Sequence, residues 1–152
     1  MESSEQQAFD STVRQQIYAQ FVRTTRAPSV TDMARELGAS SEAVTAAYRR
    51  LAAGRALALR AGTTEILMAH PFSAVETPFR VRARGNSYWP NCAWDALGIA
   101  AVLGGEGHIE GTCADCQASL EVEVRAGVLR SEPLRIHFAV PPRAWWVDIE
   151  FT

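Results

Sequence analysis

The sequence predicts an α+β protein. Over residues 9–70 apolar side chains recur mostly at helical spacing, while over residues 78–152 they mostly alternate with the period of a strand. One helical run interrupts the second part, beginning near Asn91. The chain has 152 residues, 47% of them apolar. That is enough to bury one core or two small ones.

Residues 1–8 are polar and read as a disordered lead. From Phe9 to about Arg23, Val13, Ile17, Phe21 and Val22 fall on one side of an amphipathic helix. Thr24 to Pro28 is a break. Ser29-Val30-Thr31-Asp32 opens a second helix, with Asp32 or Thr31 as its N-cap, and Gly38 closes it. Ser40 or Ser41 caps a third helix that presents Val44, Ala47, Tyr48 and Leu51 and runs to about Gly54. Residues 56–60 and 65–69, joined through Ala61-Gly62-Thr63, carry a hairpin signal.

Helix, helix, turn, helix, hairpin is the order of a winged helix-turn-helix, expected over residues 9–70. Such a module uses its third helix on DNA or serves as an interaction scaffold. Here that helix begins Glu42-Ala43 and carries its basic pair, Arg49-Arg50, only at the end. With a net charge of −2, nucleic acid is not the favoured partner.

His70 to Pro78 reads as a linker. Phe79-Arg80-Val81-Arg82-Ala83 alternates like a strand, Arg84 to Pro90 reads as a loop, and Asn91 caps a helix to about Leu103. Strand patterns follow at 108–110, 119–124, 134–140 and 146–151. The expectation over residues 78–152 is a small mixed sheet, antiparallel for the most part, with one helix against it.

No apolar run reaches the ~18 residues of a membrane span. The polar, acidic start is unlike a secretory signal, so the expected location is the cytoplasm. All fifteen basic residues are Arg, which excludes Schiff-base chemistry on lysine.

The three cysteines fall within 25 residues: Cys92, Cys113 and Cys116. In a reducing compartment such clustering suits metal binding better than a disulfide. Cys92 precedes Asp95 by three positions at a helix start, so the thiol and the carboxyl share a face. The helix dipole and unpaired amides there are expected to lower the Cys92 pKa. Cys113-Ala114-Asp115-Cys116 lies between strands, unlike a redox-active pair at a helix start. A closed zinc site would need Cys92 as third ligand and His108, His137 or Asp95 as fourth. His108 is expected to face solvent, His137 to be an ordinary strand residue, and at least one of Trp145 and Trp146 to be core.

Trp89-Pro90-Asn91-Cys92-Ala93-Trp94-Asp95-Ala96-Leu97, preceded by Phe79-Arg80-Val81 to Gly85, resembles the organomercurial lyase (alkylmercury lyase) family. The resemblance covers about Phe79 to Thr152, with a looser match before it. The family's cysteine and the aspartate three residues on map onto Cys92 and Asp95, and Cys113 resembles an additional, structural cysteine. The resemblance implies a winged-helix-like domain joined to a small α/β catalytic domain. Two thiolates would take the mercury of an organomercurial, and Asp95 would help move a proton to the leaving carbon. No cofactor is required, because mercury is the substrate's own ion.

The family's second catalytic cysteine belongs on the last strand, yet residues 145–152 contain none. Either Cys113 or Cys116 supplies the second thiolate, with Cys92, Cys113 and Cys116 together as mercury ligands, or the chain no longer cleaves carbon–mercury bonds, or the sequence stops before the family's further C-terminal segment. The non-catalytic readings are a winged-helix sensor or regulator of a soft metal and a structural zinc domain.

Overall fold

Helix α1 spans Glu2–Thr24 and buries Val13, Ile17 and Phe21, spaced four apart, on one stripe. The computed structural model describes residues 2–150 and divides into two compact units between Val75 and Glu76. The expected disordered lead is helical from Glu2 onward; Met1 lies outside the described residues. Glu and Gln are good helix formers, and no Gly or Pro interrupts this stretch.

In the first unit, α2 (Val30–Leu37) begins at Ser29, whose hydroxyl accepts the Asp32 N–H at 3.0 Å and donates to Asp32 Oδ2 at 2.7 Å. Ser29, rather than Thr31 or Asp32, is the N-cap because it is the extended residue before the first turn. Gly38 ends α2 with a left-handed φ of 61°. Helix α3 (Ser41–Ala53) is capped by Ser40 and buries Val44, Ala47 and Tyr48, and the Tyr48 hydroxyl donates to Pro28 O. Arg50, near the end of α3, forms a two-armed ion pair with Asp10 of α1.

Strands β1 (Ala58–Leu59), β2 (Ile66–Ala69) and β3 (Phe72–Ser73) form an antiparallel sheet in that order. Phe72, expected in a linker, is buried and stacks on Phe21 with ring centroids 5.4 Å apart. That aromatic contact ties the segment after the hairpin to the helical core.

The second unit is a five-stranded antiparallel sheet with one helix against it. Its strands are β4 (Phe79–Ala83), β5 (Asn86–Tyr88), β6 (Gly107–Thr112), β7 (Ser119–Arg125) and β8 (Val128–Arg130), ordered β5-β4-β6-β7-β8. Part of the expected loop 84–90 is therefore strand. The β4–β5 and β7–β8 hairpins turn through Arg84-Gly85 and Ala126-Gly127, all four with positive φ. Two left-handed residues in succession match the twist of paired strands.

Helix α4 (Ala93–Val102) buries Ala96, Ile99 and Ala100 and packs on β4 and β6. A methyl added to Gly107 would meet the Ala100 Cβ at 3.1 Å, so the small residue sets the helix-to-sheet distance.

Residues 134–140, expected as a strand, pair with no other strand, and Pro142–Val147 form a 3₁₀ turn where a last strand was expected to begin. Pro133, Pro141 and Pro142 remove ladder donors and restrict the residues before them. The remainder of the expected strand at Phe151 lies outside the described residues.

Candidate functional site

Cys92 is the residue from which α4 starts. It is extended, with φ −152° and ψ −179°, and its sulfur accepts the Asp95 N–H at 3.5 Å. Cys92 thus takes the N-cap place expected for Asn91. A sulfur can stand in for the usual capping oxygen because the first-turn amides otherwise lack partners.

Asn91 has a different task. Its side-chain Nδ2 donates to Asp95 Oδ2 at 2.9 Å, one turn along. The loop before it is held by Thr77, whose hydroxyl bridges the carbonyls of Pro90 at 2.7 Å and Phe79 at 3.2 Å. Neither contact was anticipated from the sequence. The Asn-to-Asp spacing of four was the available signal, since residues four apart meet on a helix.

Cys92 is half-buried. Its thiol lies above the ordinary range, contrary to the helix-dipole expectation. Burial is the largest cause, and the negative charge of Asp95 adds to it. The Asp95 and Trp94 amides act in the opposite sense without overcoming burial. Trp94 beside it is 62% exposed, so the start of α4 faces solvent on one side.

Cys113 and Cys116 sit in the β6–β7 connection, Cys113 half-buried and Cys116 exposed. The Cys113 thiol lies below the ordinary range, mainly because the Cys116 and Asp115 N–H groups donate to its sulfur, with a further hydrogen bond from the Cys116 side chain. The sheet register relates this turn to Cys92. Val81 pairs with both Tyr88 and Ile109, and Phe79 pairs with Gly111. The chain leaving β5 toward Cys92 and the chain leaving β6 toward Cys113 therefore emerge at the same end of the sheet.

Among the described residues, no group of three or more His, Cys, Asp or Glu side chains is arranged to hold a metal ion. That gives no support to a structural zinc site, which needs four ligands. His108, expected to face solvent, lies 3.6 Å from Glu110. His137 is exposed and outside any strand. Trp145 and Trp146 are half-buried, so neither is core; the Trp145 ring lies tilted against Phe138 with centroids 5.0 Å apart, and its Nε1 donates to Val140 O. No described helix is long and apolar enough to cross a membrane.

The sequence profile of the alkylmercury lyase family matches residues 72–152, just over half of the 152 residues. Among solved structures, the mercury-bound form of MerB2 superposes with a TM-score of 0.66 at 21% identity, covering 80% of this chain and 58% of that one. The likeness to that structure is one of fold, and the chain spans less than two thirds of its length. No curated protein matches the chain.

Proposed function

Because the chain belongs to the alkylmercury lyase family, we propose that it captures organomercurials on Cys92 and cleaves their carbon–mercury bond with a proton carried by Asp95. The observation that supports this most is the seating of both residues in one helical turn, with the Cys92 sulfur accepting the Asp95 N–H. Mercury is soft, so a thiolate outcompetes every oxygen or nitrogen ligand of the chain.

The raised pKa of Cys92 suits a thiol that keeps its proton until the metal displaces it. In the first step the Cys92 S–H bond breaks and a sulfur–mercury bond forms. The proton passes to the Asp95 carboxylate, and the substrate's anionic ligand leaves. In the second, another thiolate adds to mercury. The electron pair of the carbon–mercury bond takes the Asp95 proton, giving hydrocarbon, a dithiolate of Hg²⁺ and a carboxylate. Among the described residues, the thiols of Cys113 and Cys116, in the turn at the same end of the sheet, are the ones we assign to supply that second thiolate.

The test incubates the protein with phenylmercury and excess small thiol and follows benzene by gas chromatography. Benzene above the thiol-only blank supports the assignment. Binding of phenylmercury without benzene would leave capture and remove cleavage. No supporting observation favours the metal-sensor alternative over this reading.

A further inference from the structure

The β6–β7 connection is a built sulfur cradle. The Cys113 N–H donates to Ala118 O and its carbonyl accepts the Gln117 N–H, both at 2.9 Å, closing the turn at its base. Gln117 adopts a left-handed φ of 59°, rare for a residue with a side chain, and its amide donates to Ala114 O at 3.1 Å. The turn so closed sets Cys113 and Cys116 three residues apart within one short hairpin connection, so both side chains belong to the same turn.

We propose that Cys113 and Cys116 form a soft-metal site of their own, holding a thiophilic divalent cation such as Hg²⁺ between two sulfurs without help from Cys92. Two thiolates do not close a zinc site, and the described residues offer no third His, Cys, Asp or Glu ligand grouped with them. Hg²⁺ is satisfied by two thiolates, and a soft ion prefers them to oxygen. On binding, two S–H bonds break, two sulfur–metal bonds form and two protons leave to solvent. A two-coordinate ion sets its sulfurs apart by about twice the ~2.3 Å metal–thiolate bond. The exposed Cys116 side chain is free to swing outward to that separation. Asp115, exposed between the cysteines, adds negative charge where the cation approaches.

This site needs neither Cys92 nor Asp95, so it goes beyond the lyase reading. The test uses the Cys92→Ser variant and inorganic Hg²⁺, with folding checked by circular dichroism. One Hg²⁺ per chain should remove both remaining thiols from reaction with a thiol reagent and give a single adduct in native mass spectrometry. Glutathione should strip that ion only at about 100-fold higher concentration than from Cys92→Ser/Cys116→Ser, because the second sulfur binds intramolecularly. Uptake of two ions per chain, or equal release from both variants, would overturn the proposal. Benzene release plays no part in this readout, so failure of carbon–mercury cleavage leaves it standing.

Discussion

The side-chain amide of Asn91 donates a 2.9 Å hydrogen bond to the Asp95 carboxylate, one turn into α4. The contact fixes the carboxylate relative to the sulfur that caps the same helix. Asn91 is therefore a positioning residue. Replacing it with Ala should leave phenylmercury capture unchanged and slow benzene release about 10-fold or more, as expected for losing a hydrogen bond to a charged group. Single-turnover kinetics separate the two steps. Equal loss of both would contradict a positioning role.

Cys92→Ser should abolish capture of phenylmercury by α4, since a hydroxyl is a hard ligand for a soft ion. Asp95→Ala should retain capture, with the Cys92 proton leaving to solvent instead, and lose benzene release, because no group then delivers a proton to the leaving carbon. Peptide-level mass spectrometry, which tells an arylmercury adduct on Cys92 from one on Cys113 or Cys116, reads the first quantity and gas chromatography the second. Hydrocarbon release undiminished in Asp95→Ala would remove that residue from the mechanism.

The thiols should titrate apart. Burial raises the Cys92 pKa, whereas amide donors lower that of Cys113. With rising pH, iodoacetamide should modify Cys113 before Cys92, as peptide mapping would resolve. The sign for stability follows. The folded state holds the Cys92 proton more tightly than the unfolded chain. That contribution is full below the ordinary thiol pKa and is lost as pH rises through the folded value. Reaction of Cys92 first would contradict the role given to burial.

Ile99 is fully buried where α4 meets the sheet. Ile99→Ala should cost about 2–5 kcal/mol in urea unfolding of the second unit, through lost transfer energy and a residual cavity. A cost below about 1 kcal/mol would mean that the site helix is not anchored there.

DNA should bind weakly. Arg50, half of the basic pair in α3, is engaged by Asp10, and the first turn of the helix carries Glu42. Gel shifts at physiological salt should detect no complex tighter than about 1 μM. Sequence-selective binding that responds to Hg²⁺ would instead favour a regulatory role.

The sequence by itself determined the α+β class, the stops at Gly38 and near Leu103, the buried stripes of α1 and α3, and the cysteine and carboxyl at the start of α4. These rest on signals within one turn or one strand: period, caps and turn residues. Tertiary structure alone decided the rest. Phe72 joined a strand because β2 supplies its ladder partner at Ala69, and its ring stacks on Phe21. Cys92 lies high rather than low because burial outweighs two amide donors, a balance no local pattern displays. Residues 134–140 alternate like a strand yet pair with nothing, since a strand exists only when another supplies its hydrogen bonds. Gln117 takes a left-handed φ where its N–H closes the β6–β7 connection onto Cys113 O, a conformation that its residue type does not announce.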